Sequence, residues 1–369
     1  MSQYKKDFLL ADSNYLLNHS VGRPLKTTEK AFKDSFFSPW QNSGKEPWAH
    51  WLEVINDFQL ALSSLFNAPA EEFCPQVNLS SSLTKVVMSL ASLNKQNVVI
   101  LMSETDFPSM GFALQKSLPK STEIRFINKH LDITDANIWQ QHLTTDIDLV
   151  FVSSAYSNTG QLAPVREITS WAKEQGIISV LDIAQSAGVI PINLQDVRPD
   201  FMIGSSVKWL CGGPGAAYLW VNPDIIEHCQ PKDVGWFSHE NPFEFDIHHF
   251  RYSPDVLRFW GGTPSVYPYV VAANSLAHIN AEGVDKIRDN NLVLSEMIIQ
   301  AVPDSVLISP RLEAQRGGTL VLNFGPLQEQ VVERLKASQV QFDRRAKGIR
   351  LSPHSCNTPV QIERVISCF

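Results

Sequence analysis

The chain has 369 residues, 44% of them hydrophobic and 19% charged, which is typical of a globular enzyme with more than one domain. Its formal net charge of −7 argues against a general nucleic-acid-binding protein, which would carry an excess of basic residues. No apolar run is long enough to span a membrane. The five cysteines are odd in number and contain no C-x-x-C pair, so neither a disulfide framework nor a metal site such as zinc is indicated. These features predict a cytoplasmic protein.

The N-terminal part is predicted to be irregular and then helical. Residues 1–50 are rich in turn-forming residues, with turns expected at 18–24 and 38–44, and they form an N-terminal arm with loops. Apolar residues then recur at helical spacing between Trp48 and Phe66. Serines before Leu83 predict the capped start of a second amphipathic helix.

The middle of the chain alternates between two kinds of segment. Apolar runs typical of buried strands are separated by helical patterns, and the runs are 98–102, 124–127, 147–152, 177–181 and 215–221. Such alternation predicts a three-layer α/β domain with a mostly parallel sheet. We assign this large domain to residues 51–265.

The rhythm changes after about residue 265. Helical patterns are followed by shorter mixed elements, and the predicted segments are helices at 267–279, 284–302 and 328–337 and strands at 318–324 and 348–352. This succession predicts a smaller α+β domain over residues 266–369.

One lysine lies between a predicted strand and a glycine-rich turn. An apolar run beginning at Phe201 leads to Lys208, which is followed by Gly212-Gly-Pro-Gly215. Asp182 ends the preceding apolar strand, 26 positions upstream, about one helix-and-strand unit of an α/β sheet. Pyridoxal phosphate needs such a pair, since an amine forms a Schiff base with its aldehyde and a carboxylate keeps its ring nitrogen protonated. Alone, Lys208 also fits a surface lysine and Asp182 a helix cap, so the pair and the turn together carry the interpretation.

Two further features fit a phosphorylated ring. A helix N-terminus at 81–84 supplies free N–H groups to a phosphate, with the Thr84 hydroxyl as an extra donor. Phe107, just after a strand, offers an apolar face for the ring. An ordinary serine cap and a core phenylalanine are the simpler interpretations of these two features.

Several segments taken together resemble the class V aminotransferase family. They are, in chain order, Leu83-Thr84, Phe107-Pro-Ser109, Tyr156-Ser-Asn-Thr-Gly-Gln161, Asp182-Ile-Ala-Gln-Ser-Ala-Gly188, Lys208-Trp-Leu-Cys-Gly-Gly-Pro-Gly215, Gly235-Trp-Phe-Ser-His239 and Arg258-Phe-Trp-Gly-Gly-Thr-Pro264. The resemblance covers nearly the whole chain. Within the family it is closest to kynureninases, through the segment 235–239 and the ending around Asp343 and Arg350.

The resemblance implies an architecture and a chemistry. The implied fold is type I of the pyridoxal-phosphate enzymes, an α/β fold whose three-layer large domain holds a mostly parallel seven-stranded sheet, with a smaller α+β C-terminal domain. The implied cofactor is pyridoxal 5′-phosphate, and the implied substrate is an α-amino acid. The family also implies a homodimer whose active sites are shared between subunits.

The resemblance assigns roles to matching positions. Lys208 binds the aldehyde and moves the Cα proton, while Asp182 pairs with the ring nitrogen and Gln185 with the ring oxygen. The remaining cofactor contacts are Leu83, Thr84, Phe107, Ser109, Ser153, Trp236 and Thr263, and Thr263 reaches a phosphate that in this family is often the neighbouring subunit's. The substrate contacts are Arg350, which grips the α-carboxylate, Trp236 and Asn18. His239 is an acid–base group or orients Trp236, and a purely structural histidine fits equally.

Four sites depart from the kynureninase pattern. Val207 stands where these enzymes have a tyrosine, Met110 where they have an aspartate and Gln185 where they have a histidine; Pro353-His-Ser355 replaces Pro-Leu-Tyr. Hydrolytic cleavage of kynurenine needs a base that activates water. The departures therefore bear on the reaction more than on the cofactor.

Three functions remain open at this point. Kynureninase-like hydrolytic cleavage is the specific hypothesis, and transamination or β-elimination within the same family is the first alternative. The second is a binding or regulatory protein, against which the retained Lys208, Asp182 and Arg350 argue. A cysteine desulfurase is disfavoured because Ile349, not a cysteine, precedes Arg350, and a dinucleotide-binding enzyme because the chain lacks an early G-x-G-x-x-G run.

Overall fold

A computed structural model gives the fold of the chain and describes residues 6–10 and 14–369. A two-residue strand near the N-terminus, β1 (Asn14–Tyr15), precedes the central sheet of seven strands. The strands of that sheet are β2 (Phe73–Gln76), β3 (Val99–Ser103), β4 (Glu123–Ile127), β5 (Leu149–Ser153), β6 (Ile178–Asp182), β7 (Phe201–Ser205) and β8 (Ala217–Val221). Their order is β2-β8-β7-β6-β5-β3-β4, and β8 runs opposite in direction to the other six strands. The predicted mostly parallel seven-stranded sheet is confirmed.

Helices cover both faces of this sheet. They are α1 (Thr28–Phe32), α2 (Ser38–Asn42), α3 (Trp48–Phe66), α4 (Leu79–Ser89), α5 (Pro108–Ser117), α6 (Ala136–His142), α7 (Val165–Gln175) and α8 (Tyr267–Glu282). Successive side chains of a strand point to opposite faces, and β3 shows the result: Val99 and Leu101 join one buried cluster, Ile100 and Met102 the other. Both faces of the central strands are therefore apolar, as a parallel sheet between two helical layers requires.

A second, smaller core lies in the C-terminal part. Its elements are α9 (Val284–Gln300), β9 (Leu320–Leu322), α10 (Gln328–Ala337), β10 (Val340–Gln341), β11 (Asp343–Arg345), β12 (Gly348–Leu351) and α11 (Pro359–Ile366). Strands β11, β12 and β9 form an antiparallel sheet. Ile287 still packs in the large core, whereas Leu294 and later residues form the small one. The predicted domain boundary at residue 265 stays a prediction, and these cores favour a division within α9.

Part of the N-terminal arm is helical where loops were predicted. Residues 28–42 form α1, a π-helical turn and α2 in immediate succession. Phe36 stacks on Trp51 of α3 with ring centroids 5.1 Å apart, and Phe32 meets Tyr267 edge to face. Aromatic residues four positions apart share one helical face, so tertiary packing outweighs the local turn signals.

The N-terminal segment 14–22 contacts both the C-terminal strands and the loop that carries Lys208. Asn14 of β1 pairs in parallel with Val340 of β10, and Leu16 is buried in the small core. Gly22 donates its N–H to the carbonyl of Val207 (2.8 Å), and a Cβ there would lie 2.1 Å from the main-chain oxygen of Lys208. Only glycine permits this approach, so the segment lies directly against the loop that carries the lysine. Among the described helices, none has both the length and the apolarity to cross a bilayer.

Candidate active site

A cavity of about 210 Å³ opens at the carboxyl edge of the central sheet, where β5, β6 and β7 end in Ser153, Asp182 and Ser205. Open α/β sheets place their ligands at this edge. The cavity is lined by Leu79, Ser80, Thr105, Phe107, Ser109, Met110, Ser153, Ala155, Tyr156, Ser157, Asp182, Ala184, Gln185, Ser205, Val207 and Lys208. It therefore brings together most of the residues expected to bind the cofactor.

Lys208 presents a free amine to the cavity. It follows β7 in a turn closed by hydrogen bonds from Ser206 N–H to the Ala216 carbonyl (2.9 Å) and from Gly212 N–H to the Ser206 carbonyl (2.7 Å). Its ammonium makes no hydrogen bond or ion pair with any residue in 6–10 or 14–369. Burial lowers the pKa of Lys208, and Arg350 lowers it further, whereas Asp182 acts in the opposite direction. More of the amine is thus neutral and nucleophilic near neutral pH than in an exposed lysine.

Asp182 supplies a buried acid in the same cavity. One carboxylate oxygen accepts a hydrogen bond from the N–H of Ala184 (2.8 Å), and the residue is 7% exposed. Burial raises the pKa of Asp182, while the Ala184 N–H and the charge of Lys208 lower it. A cationic ring nitrogen bound here would hold the carboxylate ionised, which is the partnership that pyridoxal phosphate requires.

The helix that could bind an anion begins two residues before the predicted segment 81–84. Helix α4 begins at Leu79, and the Asn78 side chain caps it by accepting from Ser81 N–H (2.8 Å). Leu79 and Ser80 line the cavity, and the N–H groups of the first helical turn have no intrahelical partner. A phosphate fits this end of the cavity.

Leu83 and Thr84, which the resemblance assigned to the phosphate, do not line the Lys208 cavity. Leu83 lies in the second turn, fully buried, where its N–H belongs to the helix ladder. Thr84 faces a neighbouring groove with Lys85 and Asp233 and does not line the Lys208 cavity. The donors of α4 that face this cavity are those around Leu79 and Ser80.

Four other expected cofactor residues line the cavity: Phe107, Ser109, Ser153 and Gln185. Phe107 is 51% exposed, so its ring is free to cover a planar ligand rather than fill the core. The side-chain amide of Gln185 donates to the main-chain carbonyl of His19 (3.1 Å). Val207, which stands in place of a tyrosine, also borders the cavity and adds no polar group.

The expected substrate residues Arg350 and Asn18 lie beside this cavity. Arg350 is 4% exposed and donates to the carbonyl of Ser157, a lining residue, over 2.9 Å. It also forms a two-point ion pair with Asp343, including an Nε–Oδ1 contact of 2.7 Å. Asn18 is buried and donates to the Ser352 carbonyl (3.0 Å). Two of the five N–H groups of Arg350 remain for a carboxylate.

Trp236, His239 and Thr263 do not line the Lys208 cavity of their own chain. The Trp236 indole N–H donates to the Thr263 hydroxyl (3.3 Å). Trp236 and His239 line a different cavity of about 200 Å³ whose wall shares no residue with the Lys208 cavity. The ring nitrogens of His239 lie against the carbonyls of Asn241 and His249, at 2.9 and 3.1 Å. Both ring nitrogens of His239 therefore have main-chain partners, His239 does not line the Lys208 cavity of its own chain, and its catalytic role stays a prediction.

Sequence reasoning assigned no role to several residues at the site. Asp106 is 7% exposed. Burial raises its pKa to about 7, although hydrogen bonds from Ser153 and Ser103 lower it. Tyr156 lines the cavity, and burial raises its pKa well above the usual range. Asp343 forms an ion pair with Arg350, and His19 contacts Asp343. Tyr156 and Asp343 lie inside segments that carried the family resemblance, which was the available signal.

The sequence of the chain is similar to those of known proteins over most of its length. The family model of class-V aminotransferases matches residues 40–348. The kynureninase of Shouchella clausii is 27% identical, covering 96% of this chain and 86% of that protein. The uncharacterized aminotransferase YcbU of Bacillus subtilis is 26% identical over 86% of this chain and 84% of its own length.

Solved structures share the fold at lower identity. The apo cysteine desulfurase of Thermococcus onnurineus NA1 superposes with a TM-score of 0.85 at 19% identity, covering 96% of this chain and 93% of the other. The cystine C-S lyase C-DES, in complex with its reaction product cysteine persulfide, gives 0.86 at 20% identity and 97% coverage of both chains. The chain therefore belongs to the class-V aminotransferase family, has fold type I, and uses pyridoxal 5′-phosphate, as its sequence predicted.

Proposed function

We propose that the protein is an enzyme that acts on an α-amino acid through pyridoxal phosphate linked to Lys208. The observation that carries this proposal is the pairing of a free, buried amine and a buried acid in one cavity. Pyridoxal phosphate, when bound, withdraws electrons from the bonds at the amino-acid Cα. The chain's own residues hold it, orient the substrate and move protons.

Each end of the cavity has a task. The first turn of α4 around Leu79 and Ser80 holds the phosphate with N–H groups and the positive end of the helix dipole. Phe107 would cover one face of the ring, and Asp182 would hold its nitrogen cationic. Lys208 is the group placed to take up the Cα proton of a bound substrate, since burial lowers its pKa and favours the neutral amine.

Arg350 is proposed to bind the substrate α-carboxylate. The guanidinium is buried, lies next to the lining residue Ser157 and still has two N–H groups to offer. A carboxylate that enters such a site gains charge-assisted hydrogen bonds at low exposure to water.

The active site is proposed to be completed by a second copy of the chain. Trp236 and Thr263 lie away from their own Lys208, in a region where Phe245 is 76% and Ile247 is 91% exposed. Apolar side chains at this exposure are typical of a surface that a partner covers. In such a dimer these residues approach the partner's cavity.

A mixing experiment tests the shared site. We expect Lys208→Ala and Thr263→Ala homodimers to be impaired, and refolded mixtures to regain about one quarter of wild-type activity through heterodimers with one intact site. If mixtures regain no activity although heterodimers form, Lys208 and Thr263 of the same chain serve the same site, and the shared-site proposal fails.

The specific reaction we propose is kynureninase-like cleavage of the Cβ–Cγ bond of kynurenine, in which water adds to the γ-carbonyl and alanine and anthranilate leave. Support comes from curated kynureninases at 26 to 27% identity that cover 95 to 96% of this chain. Incubation with kynurenine and 3-hydroxykynurenine should release alanine and the aromatic acid, measured by chromatography.

Transamination is the second candidate, and one observation favours it. Among the described residues that line the cavity, the only titratable side chain besides those of Lys208 and Asp182 is that of Tyr156. Burial raises the pKa of Tyr156 well above its usual range, so it is a poor group to activate water. Transamination needs only Lys208 to move a proton between Cα and the cofactor. Amino-group transfer from an amino-acid panel to pyruvate or 2-oxoglutarate, without anthranilate release from kynurenine, would decide for it.

A further inference from the structure

Arg350 is held by a chain of polar side chains that starts in the N-terminal segment. Asp343 binds the guanidinium at two points, and its Oδ1 also lies 3.1 Å from Nε2 of His19. Nδ1 of His19 lies 2.5 Å from the hydroxyl of Ser352, which in turn lies 3.0 Å from that of Thr319. His19 is 1% exposed. This chain therefore lies within the protein, beside the cavity.

The donor and the acceptor of the hydrogen bonds that His19 makes follow from the protonation states of the side chains. An ionised carboxylate only accepts, so Nε2 of His19 carries the proton and donates to Asp343. In the neutral ring Nδ1 then accepts from the Ser352 hydroxyl. Burial lowers the pKa of His19, with Arg350 and Lys208 acting in the same direction and Asp343 against it, which keeps the ring neutral. Burial opposes ionisation of Asp343, yet Arg350 and His19 hold its pKa below the usual range.

His19 also touches the cofactor side of the site. Its main-chain carbonyl accepts from the side-chain amide of Gln185, a residue that lines the cavity. The preceding Asn18 donates to the Ser352 carbonyl, and Gly22 fixes the segment to the lysine loop. One residue thus contacts both the group that supports Arg350 and a wall of the cofactor cavity.

We propose that His19 is a positioning residue for substrate recognition: acting through Asp343, it orients the Arg350 guanidinium toward the α-carboxylate of an amino-acid substrate. This inference rests on the proposed function of Arg350. It predicts that recognition of the carboxylate, and not of the substrate amine, depends on a donor at the position of His19 Nε2.

Two substitutions separate the two ring nitrogens. The amide nitrogen of a glutamine reaches about as far as Nε2 and that of an asparagine about as far as Nδ1. His19→Gln therefore keeps a donor for Asp343, whereas His19→Asn removes it. We expect His19→Asn to weaken binding of a carboxylate substrate about tenfold through misplacement of Arg350, and His19→Gln to restore most of it.

The probes are L-kynurenine and kynuramine, which differ by the α-carboxylate alone. Their dissociation constants are measured on holoenzyme by rapid mixing, from the change in cofactor absorbance before turnover. In the wild-type protein we expect tighter binding of kynurenine, a preference that falls about tenfold in His19→Asn and is retained in His19→Gln, with kynuramine binding unchanged throughout. Equal losses for both probes, or an unchanged preference in His19→Asn, would overturn the proposal.

A second variant keeps the test valid if His19→Asn folds poorly. Asp343 lies on β11 with its side chain 26% exposed, and Asp343→Asn keeps its shape while removing its charge. Asp343→Asn should reduce the preference for kynurenine at least as much as His19→Asn, with cofactor content and melting temperature near wild type. An unchanged preference in this variant would reject the positioning role of His19. If the wild-type protein binds kynurenine no better than kynuramine, the carboxylate role of Arg350 fails and the proposed function fails with it.

Discussion

The Lys208 cavity and the aromatic segment 234–250 differ in how complete they are within one chain. Around Lys208, buried polar groups converge from several strand ends, and Asp182 and Arg350 are each less than a tenth exposed. In the aromatic segment, Phe243, Phe245 and Ile247 are 55%, 76% and 91% exposed. The first region has preorganised buried polar groups, and the second has the exposed apolar surface that motivates the proposed interface. This difference supports the proposal that one chain supplies the Lys208 cavity and that a second copy covers the aromatic segment.

The largest effect is expected at Lys208. Lys208→Ala should lower turnover by roughly 10³-fold or more, because both the covalent link and the proton carrier are lost. Borohydride reduction of the wild-type holoenzyme followed by peptide mass spectrometry should find the pyridoxyl group on Lys208. Lys85, also buried, is the internal control, since its ammonium is bound by the carbonyls of Phe259 and Trp260. An adduct on Lys85 with none on Lys208 contradicts the assignment.

Two buried carboxyl groups give the next comparison. Asp182 lines the cavity, whereas Asp106 lies beside it and accepts from Ser103 N–H (2.8 Å). Asp182→Asn should lower turnover by roughly 10²-fold, because a neutral amide no longer holds the ring nitrogen cationic. Asp106→Asn should cost much less. Steady-state kinetics at saturating cofactor measure both, and equal losses would show that the two carboxyls share one role.

Stability against pH tests Asp106 further. Its pKa is raised to about 7 in the folded protein, chiefly by burial, so between its ordinary pKa and 7 the folded state binds more protons than the unfolded chain. Stability therefore falls as pH rises through this range. Asp106→Asn should remove up to about 3 kcal/mol of the fall between about pH 5 and 8, at 1.36 kcal/mol per pKa unit. Urea unfolding at several pH values measures it, and an unchanged slope contradicts the expectation.

The smallest effect on the single chain is expected in the aromatic segment. Phe245→Ser and Ile247→Ser should weaken dimerisation, yet change the unfolding free energy of the monomer by less than about 0.5 kcal/mol because both side chains are exposed. Sedimentation velocity measures the association. Val293→Ser, at a position 60% exposed on α9, is the matched control and should leave association unchanged. Loss of dimer in the control alone would place the interface elsewhere.

The sequence predicted the sheet and the pair at its edge because both follow from local patterns. Alternating apolar runs set the strands, and Lys208 and Asp182 each follow one such run, so parallel pairing brings them to one edge. The start of α4 was misplaced because Asn78 and the serines after it are equally good caps, and only the folded backbone selects Asn78.

Contacts between distant parts of the chain were not predictable from one sequence. His19 and Asp343 are 324 positions apart, and the contact arises because β1 lies alongside β10. Arg350 was found through the family resemblance, but the group that supports it carries no local signal. The same holds for Trp236 and Thr263, whose distance from Lys208 depends on the fold of the intervening loops.

The pairing of segment 14–22 with residues 340–352 has a consequence for biosynthesis. Asn14 and His19 leave the ribosome early, but Val340, Asp343 and Ser352, on which they depend, are made more than 300 residues later. The central sheet is able to form before residues 340–352, the partners of segment 14–22, have been synthesised. The proposed substrate contact of Arg350 is thus completed only after the last strands of the chain have been made.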